Sequence, residues 1–298
     1  MLRRFSSWLK SNADAVTALV GGGLVGLIAL LDINVLGSDG DTVNGAVLLV
    51  LALLATSVLR DRHAAVRASR QARQLQILHG REVGDELERA RQETDHWWFR
   101  GGTGTYLRAV TLPECVQRSQ QKGLTFTFQI EIIDPTDKKV CESYANQRLQ
   151  VPQSEPWTWQ RSRNEAYATI LACAYYKQTA PFVTFRLALA GRVSALRWDL
   201  SARCVVQTQE NPNEPALLLV AGHSLFANTQ RELRLSFDQA REVSLDQSDN
   251  VRLSVEPTHD EVRQLFEELR VGLPASVTQA EVGDIIRRAL KPRDPYPR

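Results

Sequence analysis

The sequence predicts an α/β domain of three layers with a mixed sheet, preceded by a two-helix transmembrane hairpin and a connecting helix. Downstream of residue 96, short segments rich in β-branched and aromatic residues alternate with helical patterns, as is typical of α/β folds. Upstream of residue 60, two long segments carry no charged residue. Each is close to the minimum of roughly 17 residues for a bilayer-spanning helix.

Composition excludes several classes of protein. The chain has 298 residues, of which 43% are hydrophobic, with a formal net charge of +2 and a mean hydropathy of −0.25. A polytopic transporter would be far more apolar, and 17 glycines, 12 prolines and 4 cysteines exclude collagen-like and disulfide-rich scaffolds. The small net charge argues against a general nucleic-acid binder, so nucleic acid is not expected as a partner.

Residues 1–59 form the predicted membrane hairpin, with spans at about 15–36 and 42–59. The segment between the spans is short and acidic, whereas basic residues flank both outer sides: Arg3, Arg4, Lys10, Arg60 and Arg62. This charge pattern predicts a multi-pass protein of a bacterial inner (plasma) membrane, with the lipid bilayer as a partner and both termini in the cytoplasm. The alternatives are a cleaved signal peptide, which the second span disfavours, and a buried soluble hairpin, which the missing amphipathic period disfavours.

Two further features of the N-terminal part bear on assembly. Gly22 and Gly26 form a small-xxx-small pair, which would let the first span pack closely within its hairpin or against neighbouring copies in a homo-oligomer. Residues 60–95 lack proline and are rich in helix formers, so they predict a juxtamembrane connecting helix. That helix is expected either to self-associate or to serve as a solvated spacer.

Residues 96–256 form the predicted ligand-binding domain. Strands are expected at 97–100, 124–133, 182–190 and 216–221, with a strand or half of a hairpin at 196–209. Helices are expected after the first strand and at 138–149, 157–178 and 228–243. Residues 257–298 form a helical tail, in which Thr258 with Glu261 and Thr278 with Glu281 have the spacing of capping boxes.

The strongest candidate site is the turn between the first strand and its helix. Glycines let a backbone approach a ligand closely, and a helix N-terminus attracts anions. Hydroxyl and guanidinium groups nearby would add hydrogen bonds to phosphate. The predicted phosphate-binding residues are Arg100, Gly101, Gly102, Thr103, Gly104, Thr105 and Arg108. The alternative is a tight turn that needs glycine dihedral angles and binds nothing.

Other candidate ligand-binding residues follow later strands. Asp134 would bind a ribose hydroxyl or act as a base, or else it caps the helix that begins near Asp137. Arg197 and Asp199 share one side of a strand, as a ligand clamp or as a surface ion pair. Trp157 is expected either to stack on a base or to pack in the core.

Catalytic and metal signatures are weak. His223 and Ser224 follow a buried strand, but no acidic partner is placed by spacing, so a structural histidine is the favoured interpretation. The 4 cysteines form no CxxC pair, which argues against zinc, and a cytoplasmic location would keep them reduced. We therefore predict no catalytic residue, metal or cofactor, and binding is favoured over enzyme activity.

The order of the strand with FRGGTGTYLR, the strand ending in IIDP, the helix CESYANQR and the late LLLVAG-HS segment resembles bacterial phospholipase-D-like α/β domains over residues 97–243. The HxK motif of that family is absent, since Leu225 stands two places after His223, so the resemblance implies binding rather than cleavage. The hairpin joined to a cytosolic domain resembles two-transmembrane effectors of bacterial anti-phage nucleotide signalling. That architecture implies a messenger-driven oligomer that disrupts the membrane.

These observations lead to one expected function and two alternatives. The expected function is a membrane-anchored sensor and effector whose cytosolic domain binds a phosphate-bearing ligand of nucleotide type, such as a cyclic nucleotide messenger. The first alternative is a membrane-tethered phosphodiesterase or phospholipase-D-like hydrolase that uses His223, Asp134 or Asp199. The second is a structural membrane anchor that recruits a partner through its tail helices.

Overall fold

The computed structural model describes residues 74–149, 151 and 156–295, together with helical residues at 50, 51, 54, 56–58 and 60–62. The chain divides into two compact units, residues 1–73 and 74–298. Most of the expected membrane hairpin and the first part of the connecting helix lie outside the described residues. No helix among the described residues is both long and apolar enough to span a bilayer.

The second unit is built on one sheet of eight strands, which confirms an α/β domain with a mixed sheet. The strands are β1 (Leu75–Leu78), β2 (His96–Arg100), β3 (Phe126–Ile133), β4 (Val183–Ala190), β5 (Leu196–Leu200), β6 (Cys204–Gln209), β7 (Ala216–Val220) and β8 (Arg241–Val243). Their order across the sheet is β1-β7-β6-β5-β2-β3-β4-β8. β2, β3 and β4 are parallel and central, and every other neighbouring pair is antiparallel.

Within residues 74–149 and 156–295, seven α-helices accompany the sheet. They are α1 (Arg81–Gln92), α2 (Leu112–Lys122), α3 (Lys138–Arg148), α4 (Trp159–Thr179), α5 (Ser224–Gln239), α6 (His259–Glu268) and α7 (Gln279–Leu290). A π-helical turn (Leu107–Thr111) leads into α2, and a 3₁₀ segment (Leu245–Asn250) follows β8.

Helices cover both faces of the sheet because neighbouring strand residues point in opposite directions. Val206 and Leu218 belong to the main core, which includes residues of α1, α2, α3, α4, α6 and α7. Val205 and Leu219 face the other way, where Leu233 of α5 packs on them. Residues 162–174 of α4 are all buried, so this helix lies inside the domain. A helix that is covered on every side needs no apolar stripe, and the sequence of α4 has none.

The first difference from the expected elements concerns the connecting helix. Residues 75–78 form an edge strand that pairs antiparallel with β7, so the helix expected over 60–95 is interrupted. Among the described residues of that range, 60–62, 74 and those of α1 are helical. Gly80, with φ of 50°, lies between strand and helix. Leu78 is buried in the main core, so pairing and packing outweigh the helix propensity of this segment.

The second difference concerns the segment before the tail. The helix expected over 228–243 is α5, which begins at Ser224 and ends at Gln239, and the last expected residues form β8 against β4. Residues 196–209 form a complete hairpin of β5 and β6. Both predicted capping boxes of the tail are present, at the N-termini of α6 and α7.

Candidate functional site

A cavity of about 1130 Å³ lies beside the carboxyl end of β2. The turn that follows β2 forms one wall, and α1 and the segment before α4 form others. In open α/β sheets the carboxyl ends of parallel strands are where ligands bind. Five of the nine residues predicted from the sequence line this cavity: Gly102, Thr103, Gly104, Thr105 and Arg197.

The turn needs glycine because other residues approach its backbone closely. The backbone N–H of Gly101 donates to the Glu131 carbonyl at 3.1 Å, and the Ile133 N–H donates to the Gly102 carbonyl at 3.1 Å, so the turn stays joined to β3. A Cβ on Gly102 would lie 2.2 Å from the ring of Tyr144. Gly104 has φ of +73°, which other L-residues rarely adopt.

A buried carboxylate, Glu210, holds the part of the wall that lies beside the turn. The Tyr144 hydroxyl donates to Glu210 at 3.3 Å, and Nη1 of Arg148 donates to Glu210 Oε2 at 2.6 Å. The guanidinium carbons of Arg148 and Arg161 lie 4.7 and 4.2 Å from the centre of the Trp157 ring. Both arginines line the cavity, so two cations and an aromatic ring form a single element of its wall.

Arg197 and Asp199 form part of the cavity lining along β5. Arg197 packs against Gly101, where an added Cβ would lie 2.9 Å from the Arg197 Cγ, and its Nη2 donates to the Gln209 carbonyl at 2.6 Å. Asp199 is 6% exposed and accepts a hydrogen bond from Trp97 Nε1 at 2.9 Å. The interpretation of this pair as a surface ion pair is therefore wrong.

Burial raises the pKa of the Asp199 carboxyl to about 6. The hydrogen bond from Trp97 and the charges of Arg197 and Arg91 favour the ionised form and offset part of the effect of burial. The folded domain thus contains a carboxyl group that changes charge just below neutral pH.

The expectation that Arg108 binds the ligand is wrong. Arg108 is 2% exposed, and its guanidinium forms an ion pair with Glu165, donates to Thr169 Oγ1 at 2.8 Å and donates to the Arg288 carbonyl at 2.8 Å. Arg288 of α7 forms an ion pair with the other oxygen of Glu165. Burial opposes the charge of Glu165, but the two arginines outweigh burial and hold the pKa of this carboxyl below its usual value.

Arg100 lies on the other face of the sheet. Phe99 lines the cavity, and because consecutive strand residues point to opposite faces, Arg100 points away from it. Its guanidinium lies 5.0 Å from the centre of the Trp198 ring and pairs with Glu131 at 3.4 Å and with Glu232 of α5 at 3.8 Å. The prediction that Arg100 contacts the same ligand as the glycine turn is therefore wrong.

Asp134 is also outside the described lining of the cavity. Its Oδ1 accepts from the Thr136 backbone N–H at 2.9 Å, and its Oδ2 accepts from Arg241 Nη2 at 2.7 Å. Asp137 caps α3 instead, since it accepts from the Lys139 N–H at 2.9 Å. Asp134 thus joins the end of β3 to β8 rather than contacting the glycine turn, and its role as a cap is wrong.

Several residues of the cavity were not among the predicted site residues. Arg148 lies one helical turn after Tyr144, so both share one face of α3, and the structure directs that face at Glu210. Arg161, Tyr106 and Arg91 had no sequence signal, because they come from separate elements that only the fold brings together. Arg91 pairs with Glu114 at 2.5 Å and lies 3.4 Å from the Tyr106 hydroxyl.

Groups associated with catalysis do not line the described cavity in a recognisable constellation. His223 caps α5 by accepting from the Leu225 N–H at 3.2 Å, in agreement with a structural role. Among the described residues, no cluster of histidine, cysteine and carboxylate side chains has the arrangement of a metal site. All four cysteines are buried and unbonded to one another, and burial raises the pKa of each thiol.

The Gly102→Ala variant is expected to lose stability. Its Cβ would overlap the Tyr144 ring, which cannot move without breaking its hydrogen bonds to Glu210. Overpacking of this kind costs about 1–3 kcal/mol. Urea unfolding measures the loss. Gly191→Ala is the control, since a Cβ there meets nothing within 4 Å; equal stability of the two variants would contradict the close approach.

Asp199 is expected to contribute to the pH dependence of stability. Its pKa is about 6 in the fold against 3.8 for an unperturbed aspartate, so the folded state binds the proton more tightly and this group's contribution is lost as pH rises from about 4 to 6. At neutral pH the Asp199→Asn variant, which keeps an acceptor for Trp97, should be more stable by about 3 kcal/mol. Unfolding curves at pH 4.5 and 7.5 measure this, and an equal effect at both values would contradict it.

Solved structures, rather than sequence families, show similarity to the chain. No protein-family model matches it, and a search of curated proteins finds no match. Among solved structures it is distantly similar to TrmBL2, an archaeal chromatin protein that binds DNA, with 9% identity and a TM-score of 0.34 over 66% of this chain and 70% of that one. It is also distantly similar to the phosphatidylserine synthase of Haemophilus influenzae, with 12% identity and a TM-score of 0.38 over 57% of this chain and 39% of that one. Likenesses of this size carry no conclusion about function.

Proposed function

We propose that this protein is a membrane-anchored sensor and effector whose α/β domain binds a phosphate-bearing ligand, of the class of nucleotide messengers, in the cavity beside the glycine turn. The observation that carries the proposal is the meeting of Arg148, Arg161 and Arg197 with that turn in one cavity. Guanidinium groups give the strong, directional hydrogen bonds that phosphate oxygens accept.

The charge balance at this end of the cavity supports an anionic ligand. Two buried carboxylates are close by, and each is already held by arginine: Glu165 by Arg108 and Arg288, and Glu210 by Arg148. Arg161 and Arg197 add further positive charge along the lining. The lining as a whole carries five arginines and six carboxylates, so positive charge gathers only where Arg148, Arg161 and Arg197 meet the turn. Cations gathered at one end of a partly enclosed site attract anions more strongly than they would on an open surface.

The aromatic lining supports a ligand with a planar ring. Phe99, Tyr106, Tyr144 and Trp157 all contribute to the cavity, and Trp157 is held between two guanidinium groups. Aromatic side chains beside arginines suit a base attached to a phosphate. A cavity of about 1130 Å³ is large enough for a nucleotide.

A series of polar contacts connects the glycine turn to α7 of the tail and could carry an effect of ligand binding to that helix. The Thr105 hydroxyl donates to Glu165 Oε2 at 3.4 Å, and Glu165 pairs with Arg288 of α7. A ligand that takes the Thr105 hydroxyl would change the contacts of Glu165. Such a ligand shifts the equilibrium between two states of the domain only if it binds one of them better.

The alternative of a hydrolase is less well supported. It would use His223, Asp134 or Asp199. His223 caps α5 and Asp134 pairs with Arg241, so only Asp199 lies at the cavity. The residues that this alternative names therefore do not meet around one substrate, which favours binding over turnover.

Substitution of the cavity arginines is expected to weaken binding. Thermal unfolding of the purified chain with AMP, GMP, cyclic nucleotides and pyrophosphate should show stabilisation by a phosphate-bearing ligand. Arg161→Gln and Arg197→Gln should each weaken that affinity by about 10-fold or more, the value of a charge-assisted hydrogen bond. Arg231→Gln on exposed α5 is the matched control. A complete lack of binding by wild type, or equal affinity in all three variants, would refute the proposal.

Membrane attachment is expected to depend on residues 1–59. The two uncharged segments with basic outer flanks support this part of the proposal. The full chain should remain with the membrane pellet after an alkaline carbonate wash, and a chain starting at Gln74 should stay in the supernatant while still binding the ligand. Recovery of the full chain in the supernatant would contradict the proposed membrane anchor, whereas the proposed ligand site would still stand.

A further inference from the structure

Asp199 has a different kind of hydrogen-bond partner from Glu165 and Glu114, two other acidic residues of the cavity. Glu165 pairs with Arg108 and Arg288, and Glu114 pairs with Arg91. Asp199 instead accepts its described hydrogen bond from a neutral indole, Trp97 Nε1, which is itself 1% exposed. A buried carboxylate that faces a cavity from such a position is placed to accept hydrogen bonds from a ligand.

The surroundings of Asp199 are aromatic on the side of the cavity. Phe99 is its direct partner across the β2–β5 ladder, and both side chains line the cavity. Tyr106 also lines the cavity, and it is close enough for the charge of Asp199 to raise its pKa, although burial is the larger cause. Aromatic neighbours of this kind favour a flat ring over an aliphatic group beside the carboxylate.

We propose that Asp199 binds the edge of a base that presents two adjacent N–H donors, and that the preferred ligand of this cavity is a guanine nucleotide. This inference rests on the proposed function. Guanine presents its ring N1–H and its N2 amino group side by side, so both oxygens of one carboxylate can accept from it. Adenine and cytosine each offer an amino group next to a ring acceptor, which a carboxylate repels.

The positions of the charges agree with such a ligand. Arg197 stands two residues before Asp199 on the same side of β5, a separation of about 7 Å along a strand. Arg197 lies against Gly101 at the glycine turn, and Asp199 lies beside Phe99, further from the turn. The phosphate would thus lie at the turn with Arg197, Arg148 and Arg161, and the base would reach Asp199.

The experiment compares GMP with AMP and CMP on the purified full chain by calorimetry at pH 7.5. We expect GMP to bind about 10-fold or more tightly than AMP or CMP, the usual value of a bidentate contact to a base. In Asp199→Asn the amide offers one acceptor and one donor, which match the amino group and ring acceptor of adenine or cytosine. The preference for GMP should therefore be lost, with AMP or CMP binding at least as tightly as GMP. Glu131→Gln, another buried carboxylate of the sheet that packs under α5, is the matched control and should keep the preference.

A second measurement does not depend on how the variant folds. The ratio of GMP to AMP affinity in wild type should decrease as pH falls from 7.5 to 5, because protonation of Asp199 removes an acceptor. The phosphate titrates equally in both ligands, so its effect cancels in the ratio. Phosphoethanolamine, which carries an amine on a phosphate without a ring, should bind more weakly than GMP.

The outcomes separate the two proposals. Binding of AMP, GMP and pyrophosphate with no preference for GMP would overturn the inference and leave the phosphate site standing. Tighter binding of phosphoethanolamine than of GMP would also overturn it, in favour of an ammonium at Asp199. Failure of every phosphate-bearing compound to bind wild type would refute the proposed function, and the inference with it.

Discussion

The buried carboxylate of Glu165 holds the candidate site together. It pairs with Arg108, which follows the glycine turn, and with Arg288 on α7, and it lies on α4 in the middle of the domain. Three segments that are far apart in the sequence therefore meet at one charge. Removing one partner of a buried pair leaves an uncompensated charge and costs about 3–5 kcal/mol, so these elements are fixed relative to one another.

The same network sets the character of the cavity. Arg108 and Arg288 form the ion pairs of Glu165, and the charge of Arg161 on the lining also helps to hold the pKa of that carboxyl below its usual value. Glu210 has a corresponding role beside the glycine turn, where it orients Arg148. The arginines that a ligand would meet therefore already interact with other residues of the domain. Their side chains are already ordered, which lowers the entropy lost when a ligand binds.

The fold was largely predictable because its signals are local. The apolar strand 126–133, the following helix with its Asp137 cap, and the two capping boxes of the tail are all encoded within a few residues. β1 and β8 were missed because short edge strands owe their structure to pairing with β7 and β4 rather than to their own propensity.

The candidate site was predictable only in part, for a different reason. The glycine turn has a sequence signal, since close approach requires glycine, and Arg197 was found from strand alternation. Arg100 and Arg108 were assigned by proximity in sequence, whereas the strand pleat turns Arg100 away and burial commits Arg108 to Glu165. Arg161 reaches the cavity through tertiary packing alone, which no local pattern encodes.

The burial of every cysteine has a practical consequence. Cys115, Cys141, Cys173 and Cys204 are the four cysteines of the chain, and each thiol is shielded, with a pKa well above neutrality. Thiolate is the form that reacts with oxidants and maleimides, so the four cysteines of the folded protein should react very slowly with thiol reagents. A single cysteine introduced at an exposed position, such as Leu225 or Leu235, would carry a spectroscopic label without removal of the native four.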